Sequence, residues 1–292
     1  MLPYLKPSKF SYRKIRDGFF YGVFVFSTLV GVIGLLLLLI DVFIDGFPWL
    51  SMGFITNYGS RFPEQSGILA PLMGTLWVVG LTALMVIPIG IGTAIYLEEF
   101  AGKNLLTNLI NLNVSNLAGV PSVIYGLLGL TIFVQLLFQG QRAVIAGSLT
   151  MTLLILPIIV IASQEAIRAV PSGYRDAAFA MGATRWQVVK TVVLPEAIPS
   201  MMSGIILALS RAIGESAPML VISGLIFITF VPATPMDRFT VLPLQIYTWA
   251  AQPQHEFRGI AAAGIILLLL TLIFMNSIAI YIRNRTQKRS DQ

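Results

Sequence analysis

The pattern of hydrophobic and polar positions divides the chain into long apolar runs separated by shorter polar segments. Six of these runs approach the length of about 20 residues that a helix needs to cross the hydrocarbon core of a bilayer. They cover residues 19–40, 72–96, 118–138, 143–163, 200–222 and 260–282. The pattern therefore predicts an all-α membrane protein with six transmembrane helices. The first helix is expected to be a retained anchor, because its run is too long for a cleaved signal segment.

Composition strengthens this prediction and excludes whole classes of protein. Only 11% of the 292 residues are charged and 56% are hydrophobic, whereas a soluble domain carries roughly 25% charged residues. A soluble globular enzyme is therefore excluded. Cysteine is absent, so the chain has no disulfide framework and no thiol nucleophile. The single histidine, His255, has no ligand-spaced partner and predicts no metal site.

The placement of the basic residues predicts which helix ends face the cytoplasm. Fourteen of the 19 Lys and Arg residues fall in the N-terminal tail, in the loops after the second and fourth runs and in the C-terminal tail. Four fall on the opposite side. Since basic residues are retained in the cytoplasm, we expect both termini to be cytoplasmic. The formal net charge of +6 then reflects membrane topology and gives no reason to expect a nucleic-acid partner.

Proline interrupts or flanks several of the predicted spans. The positions are Pro88, Pro121, Pro157, Pro199 and Pro218. A proline inside a helix frees a backbone carbonyl, which a neighbouring helix or water must then satisfy. Kinked helices of this kind fit a protein with a cavity between its spans, but proline is also commoner in membrane helices than in soluble ones. The prolines alone leave both interpretations open.

The segment 164–199, between the fourth and fifth spans, is predicted to fold. A first helix is expected after Pro171, with Ser172 as its N-cap and Gly182 as the glycine that ends it. Its apolar residues fall at helical spacing on one face, at Tyr174, Ala177, Ala178 and Met181. The charged residues Arg168, Arg175 and Asp176 lie off this stripe.

A second helix is predicted to follow directly. Thr184 and Gln187 have the spacing of a capping box, and Pro195 is expected to break the helix after Leu194. A helix–glycine–helix unit with alanines on one face offers a small-residue surface that a groove on another protein can approach closely. The same unit can instead pack on the cytoplasmic surface of its own chain. The local pattern leaves both interpretations open.

The spacing of this segment resembles the EAA loop of the membrane subunits of ABC importers. That family has Glu-Ala-Ala, three residues, Gly, nine residues and Ile-x-Leu-Pro. The matching residues here are Asp176-Ala177-Ala178, Gly182, Val192 and Leu194-Pro195. The resemblance implies a coupling helix over residues 172–182 that docks in a cleft of an ATP-binding subunit. The residues thereby assigned to coupling are Ser172, Tyr174, Arg175, Asp176, Ala177, Ala178, Gly182, Leu194 and Pro195.

The chain itself lacks the sequence of an ATP-hydrolysing site. A phosphate-binding P-loop needs Gly-x4-Gly-Lys followed by Ser or Thr. The only Gly-Lys pair, Gly102-Lys103, is followed by Asn104. We therefore expect a transport subunit that is not itself an enzyme and that holds no cofactor of its own. ATP and Mg²⁺ are expected on a separate partner ATPase.

Two ionisable residues lie deep within the fifth apolar run. Arg211 and Glu215 are four residues apart, which would put them on one helical face, with Arg211 near the midplane. A self-neutralising ion pair is one interpretation. We favour a place on the solute path, because ionisable residues inside a membrane are costly and mark functional sites by default. A guanidinium favours an anionic solute, and its chemistry leaves phosphate, sulfate, molybdate and organic acids open.

Further segments resemble the permease subunits of bacterial phosphate importers. They are residues 97–100, 116–130, 208–220 and 242–250. The first and last of them, with the Ala-Pro that follows Glu215, resemble the A-type subunit more than its C-type partner. This resemblance covers residues 69–283 and implies the type I ABC importer fold of MetI-like permeases. It also implies uptake of inorganic phosphate by alternating access across the bacterial inner membrane.

The same resemblance implies the organisation and the partners of the chain. Residues 1–68 would hold a basic cytoplasmic tail, the first helix and an outer loop. Residues 69–283 would form the permease core, and residues 284–292 a second basic cytoplasmic tail. The implied partners are a second permease subunit, a pair of ATP-binding subunits, a periplasmic phosphate-binding protein and the lipid membrane.

Three alternatives compete with a phosphate importer subunit. An importer of another oxyanion would differ in which solutes compete for uptake. A stand-alone secondary transporter would need no coupling loop. A membrane-embedded enzyme would need paired acids, a His cluster or a nucleophile with its base, which the sequence does not offer. The apolar segment 225–231, on the outer side, leaves open whether it enters the membrane.

Overall fold

A computed structural model describes residues 8–102, 104–224 and 227–290 of the chain. Lys6 of the N-terminal tail, Lys103 of the first cytoplasmic loop and Leu225 of the outer segment lie outside the described residues. Within these ranges the chain is helical and contains no strand, only an isolated antiparallel bridge between Ala143 and Arg238. The helices are α1 Ser8–Gly46, α2 Met52–Thr56, α3 Leu69–Ile95, α4 Leu105–Ala118, α5 Ser122–Leu128, α6 Val144–Arg168, α7 Ser172–Ala180, α8 Arg185–Val188, α9 Leu194–Gly214, α10 Ala217–Ser223, α11 Leu242–Ala250 and α12 Glu256–Ser290.

Three π-helical segments extend or join these helices. Tyr96–Phe100 extends α3, Gly129–Leu137 extends α5, and Val189–Val193 joins α8 to α9. Five helical stretches in the described ranges are long and apolar enough to span a membrane, and α4 with the extended α5, bent by 105°, passes the same test when the two are taken together as a sixth. The prediction of an all-α membrane protein with six spans is confirmed. Since six crossings are an even number, the start of α1 and the end of α12 lie on one side of the membrane.

The third predicted run, residues 118–138, contains α5 and its π-helical extension, which together cover residues 122–137. A break at 119–121 separates this helix from α4. Pro121 explains the break, because it has no N–H to donate to the carbonyl of Leu117 four residues earlier. The hydroxyl of Tyr125 donates to that carbonyl instead, at 2.7 Å. The helix α4, which carries four asparagines, packs beside the cytoplasmic end of α6, where the side chain of Gln164 donates to Asn111 at 3.0 Å.

The fifth span also differs from the prediction over residues 200–222. Its helix begins in the cytoplasmic loop, continues from α8 through the π-helical segment into α9, and ends at Gly214. Pro218 explains the end, because it cannot donate a hydrogen bond to the Gly214 carbonyl. The expected break at Pro195 is wrong. The π-helical turn just before it shifts the hydrogen-bond register, so the N–H of Leu194 donates to Val189 and the helix passes through the proline.

The main core lies where α3 and α6 pack along their length and α9 and α10 close over them. Its largest buried side chains include Ile155, Ile159, Ile205 and Ile222. A second cluster joins α2, α11 and α12 at the outer end. A third cluster lies beneath the cytoplasmic loop and contains Ala94, Ala166, Ile167, Val170, Val188, Val193, Ala197 and Met201. The loop after α6 therefore has a core of its own that joins it to the spans.

The outer segment that precedes α11 covers the outer ends of α3 and α6. The N–H groups at the start of α6, of Val144 and Ile145, donate to the carbonyls of Asp237 and Pro235, each at 2.9 Å. The side chain of Phe239 is fully buried against Gly147. These contacts satisfy backbone donors that a helix start leaves free and fix the segment on the bundle.

Candidate coupling loop and solute path

The helix α7 begins differently from the prediction. Ser172 is its first residue and makes no capping hydrogen bond; Pro171 occupies the N-cap position, with φ −57° and ψ 137°. The expectation that Ser172 caps the helix is therefore wrong. Proline suits this position because its fixed φ directs the chain into the first turn without a backbone donor that needs a partner.

The end of α7 agrees with the sequence. Gly182 adopts a left-handed φ of +83°. The N–H of Gly182 donates to Phe179 at 2.9 Å and the N–H of Ala183 donates to Ala178 at 3.1 Å. These are the two hydrogen bonds of a Schellman motif, which favours glycine because an L side chain is strained at such a φ. The prediction that Gly182 ends the helix is confirmed.

The capping box at the start of α8 is also confirmed. The hydroxyl of Thr184 accepts a hydrogen bond from the N–H of Gln187 at 3.4 Å, and the Gln187 side chain accepts one from the N–H of Thr184 at 2.8 Å. A little further on, Leu194 packs against the cytoplasmic cluster, and Pro195 lies in the first turn of α9. These residues hold α7 and α8 at a fixed angle beneath the spans.

One side of α7 is exposed and apolar. Tyr174 is 53% exposed, Met181 is 88% exposed, and the ring of Phe179 is 45% exposed. Asp176 and Ala177 are exposed as well, while Ala178 packs against the cytoplasmic cluster. The predicted stripe therefore faces away from the spans over most of its length. Exposed large apolar side chains in such a group are typical of a protein–protein contact.

The other side of α7 is tied to the spans through Arg175. Its guanidinium donates to the Glu99 carboxylate at 2.9 and 3.2 Å and to the carbonyls of Ile167 and Val170 at 2.8 and 2.6 Å. Both charged side chains are largely buried, at 20% and 15% exposure. Arg175 therefore faces inward, away from the exposed stripe, and joins α7 to α3 and α6.

A second ion pair lies beside the first. Arg168, at the end of α6, donates to both oxygens of Glu98 at 2.9 and 2.7 Å. Glu98 also accepts a hydrogen bond from the buried side chain of Gln164 at 2.8 Å. Neither Glu98 nor Glu99 was singled out for a role from the sequence. The available signal was a pair of acids at the cytoplasmic end of a span, facing a loop rich in arginine.

The pair Arg211 and Glu215 has a looser geometry than predicted. Arg211 lies in the last turn of α9, but Glu215 follows the helix and has an extended backbone, with φ −81° and ψ 112°. The prediction that they share a helical face is therefore wrong, because Pro218 ends the helix at Gly214. The Nε of Arg211 and the carboxylate of Glu215 are 3.9 Å apart, which is beyond hydrogen-bonding distance.

The two side chains also face different surroundings. Glu215 is 17% exposed and lines a cavity of about 10 Å³ with Thr75 and Met151, which belong to the outer third of α3 and α6. Arg211 is 57% exposed and belongs to a stripe of exposed residues along one side of α9, which comprises Glu196, Ser200, Leu207, Arg211 and Gly214.

The break after Gly214 is packed against the other broken span. α10 contacts α5, and a Cβ placed on Gly126 would lie 2.8 Å from the Cα of Pro218. Glycine at this position therefore permits the backbones of the two half-helices to touch. Irregular backbone at membrane depth is tolerated only where protein buries it or where it lines a water-filled cavity. The geometry places Arg211 at the edge of such a region.

Within residues 8–102, 104–224 and 227–290, no cluster brings together three or more His, Cys, Asp or Glu side chains that could hold a metal ion. His255 lies exposed in the turn before α12.

Comparison with known proteins identifies the family. Residues 86–288 match the family described as "Binding-protein-dependent transport system inner membrane component". The probable ABC transporter permease protein YqgI of Bacillus subtilis is 31% identical over 95% of this chain and 98% of its own length. The phosphate transport system permease protein PstA 1 of Mycobacterium tuberculosis is 32% identical over 88% and 84% of the two chains. PstA of Haemophilus influenzae is 28% identical over 92% and 94%.

Solved structures show the same fold. A permease chain of a bacterial alginate ABC transporter, in complex with its pentasaccharide-bound periplasmic protein, superposes with a TM-score of 0.71 at 17% identity, over 94% of this chain and 96% of that one. A chain of the inward-facing MetNI methionine ABC transporter gives 0.59 at 18% identity, over 76% and 95%. The chain, a multi-pass protein of the inner membrane, belongs to the family of binding-protein-dependent transport system inner membrane components.

Proposed function

We propose that this chain is a permease subunit of an ATP-driven importer that carries inorganic phosphate across the inner membrane by alternating access. Relatives named as phosphate transport permeases from several bacteria, at 26–32% identity over most of the chain, support the choice of solute. The A-type assignment made from residues 97–100 and 242–250 agrees with the names of these relatives.

The observation that carries the proposal is the position of Arg211. It lies at the end of α9, beside the break in the helix, on a face that this chain leaves uncovered. A planar guanidinium matches the oxygens of a phosphate ion and donates charge-assisted hydrogen bonds to it. In this proposal the uncovered face of α9 lines a path shared with a second permease subunit, and Glu215 orients the arginine from within the bundle.

Alternating access needs a source of energy outside the chain. In this proposal the exposed side of α7 docks on one of two ATP-binding subunits, which hold ATP and Mg²⁺. Tyr174, Asp176, Ala177 and Met181 would form the contact, while Ser172, Gly182, Leu194 and Pro195 fix the shape of the loop. A periplasmic phosphate-binding protein would deliver the anion to the outer loops, and no nucleic acid is involved.

The direct test is reconstitution of the four kinds of subunit in proteoliposomes with labelled phosphate. We expect uptake that requires ATP and that excess unlabelled phosphate abolishes, while sulfate and molybdate compete weakly. Strong competition by sulfate or molybdate would replace phosphate with another oxyanion. Uptake by this chain without any ATPase would indicate a secondary transporter and would contradict the coupling role of α7.

A further inference from the structure

Three consecutive residues at the cytoplasmic end of α3 contact three successive parts of the coupling loop. Glu98 pairs with Arg168 at the end of α6, and Glu99 pairs with Arg175 in α7. The ring of Phe100 lies against the ring of Trp186 in α8, with centroids 6.3 Å apart. We refer to Glu98, Glu99 and Phe100 as the α3 hub. The end of α6, α7 and α8 are thus each joined to one short piece at the end of α3.

The π-helical turn explains how three neighbours reach one loop. In an α-helix, successive side chains point about 100° apart, so three in a row fan over a wide arc. The hub lies in the π-helical segment Tyr96–Phe100, where the N–H of Ala101 donates to the carbonyl of Tyr96 at 2.7 Å. Because a π-helical turn contains more residues than an α-helical turn, the angle between successive side chains around the helix axis is smaller. Such turns are rare and recur at functional sites.

The charges of the hub are matched and mostly shielded from water. Two carboxylates face two guanidinium groups, and Arg175 also donates to two backbone carbonyls. Each hub carboxylate is 15% exposed. Removing one partner of such a pair leaves the other as an uncompensated buried charge, which is strongly unfavourable. The hub therefore resists separation of the loop from α3.

We infer that the α3 hub transmits the movement of the ATPase into the membrane, so that the coupling loop, α3 and α6 move as one body. α3 packs against α6 along their length, and the hub locks α7 and α8 onto this pair. The inference rests on the proposed coupling role of α7. The competing route runs only along the chain, from α7 into α6 and, through α8, into α9, and would leave α3 free to move against the loop.

The first experiment removes one hub charge. In the reconstituted complex, Glu99→Gln should lower the solute transported per ATP hydrolysed by about tenfold, within the roughly 5–150-fold range typical of coupling between sites. The matched control is Glu165→Gln, which removes a carboxylate that also pairs with Arg168. Glu165 lies on the exposed side of α6 and does not reach α3. An unchanged ratio in Glu99→Gln would overturn the inference, as would an equal loss in the control.

The second experiment tests common movement directly and does not depend on how well Glu99→Gln assembles. The chain has no native cysteine, so Phe100→Cys and Trp186→Cys can be joined by a short, reducible bis-thiosulfonate linker. If α3 and the loop move together, the linked complex transports as well as the same variant after reduction. Transport that stops on linking and returns on reduction would overturn the inference.

Failure of the proposed solute would look different from failure of the hub. If unmodified complexes take up no phosphate, the proposed function is wrong in its choice of solute. The hub is then tested by the stimulation of ATP hydrolysis by the binding protein, measured on the same variants. Stimulation retained in Glu165→Gln and lost in Glu99→Gln supports the hub, and equal stimulation in both overturns it.

Discussion

The coupling loop and the last turn of α9 hold their charged side chains in opposite ways. Arg175 is largely buried and makes four hydrogen bonds to three partners. Arg211 is mostly exposed, and its nearest carboxylate is 3.9 Å away. The charge of Arg175 is therefore satisfied within one chain, whereas the neighbourhood of Arg211 is open on one side.

The physical cost of a charge in a membrane gives this difference its meaning. A guanidinium left facing lipid near the bilayer centre costs about 2.5–3.5 kcal/mol on insertion scales, and the weak contact with Glu215 cannot offset much of it. Arg211 is accordingly expected to face a partner subunit, water or an anion. Arg175 needs no such partner, because it is satisfied by Glu99 and by two carbonyls of its own chain.

The largest expected effect comes from removing the charge on the open side. In Arg211→Gln, uptake should fall by roughly 100-fold or more, because hydrogen bonds to charged groups contribute about 1.5–3 kcal/mol each. Assembly with the partner subunits should be unchanged, since Arg211 holds no part of the core. Labelled phosphate uptake and co-purification measure the two properties.

The matched comparison for this variant is Leu207→Gln, one helical turn earlier on the same exposed stripe. It introduces the same side chain on the same face without removing a charge. Equal loss of uptake in both variants, or normal uptake in Arg211→Gln, would show that the arginine has no specific role in the solute path.

The next effect concerns the closed side. Gly182→Val places a β-branched residue at φ +83°, which is strained by about 1–2 kcal/mol and should displace α7 from the hub. We expect roughly a tenfold loss of solute transported per ATP with expression retained. Gly173→Ala is the control, since this glycine lies within α7 and a Cβ there meets nothing within 4 Å. Full coupling in Gly182→Val would contradict the assignment of this loop to coupling with the ATPase.

Local sequence rules were right for part of the loop and wrong for the rest, since Ser172 does not cap α7 and Pro195 does not break the helix. The Schellman glycine at 182 and the capping box of Thr184 and Gln187 were correct because such motifs depend on residues within one turn. The apolar runs 118–138 and 200–222 extend across Pro121 and Pro218, so the runs alone do not show the breaks that these prolines cause. Each proline removes a donor to a carbonyl four residues earlier. At the first break the Leu117 carbonyl accepts from the Val120 N–H and from the Tyr125 hydroxyl instead.

The tie from the loop to α3 could not be read from spacing. Arg175 and Glu99 are 76 residues apart, and nothing local distinguishes an arginine that faces the ATPase from one that faces inward. The only sign in the sequence that Arg175 faces inward was its position off the apolar stripe of α7. The position of Arg211 relative to Glu215 could not be predicted from spacing either. The shared face was inferred for an uninterrupted helix, but α9 ends one residue before Glu215.

The same conservative change, arginine to lysine, can be compared at Arg175 and at Arg211. Arg175→Lys should reduce coupling about three- to tenfold, because an ammonium cannot reproduce the forked contacts with Glu99 and two carbonyls, worth about 0.5–1.5 kcal/mol each. Arg211→Lys keeps the charge that attracts an anion and should retain more activity than Arg211→Gln. Solute uptake per ATP should fall in the first variant, and the solute concentration for half-maximal uptake should rise in the second. The same response at both positions would erase the distinction between the two regions.

The smallest expected effect lies on the outer surface, where contacts are local. Asp237 accepts hydrogen bonds from the N–H groups of Thr234 and Ala233, both at 2.8 Å, and these bonds lower the pKa of its carboxyl group below the ordinary value. A lowered folded-state pKa means that the carboxylate stabilises the turn fully above its unfolded pKa. That contribution is lost as the pH falls through the folded pKa.

We expect amide exchange at 233 and 234 to accelerate only in this acidic range. Asp237→Asn should remove the pH dependence while uptake and coupling at neutral pH stay unchanged. Glu64→Gln, in the preceding outer loop, should leave the acid response intact. A loss of coupling in Asp237→Asn would mean that the outer turn communicates with the cytoplasmic loop, and the two ends of the chain would not be separable as their contacts indicate.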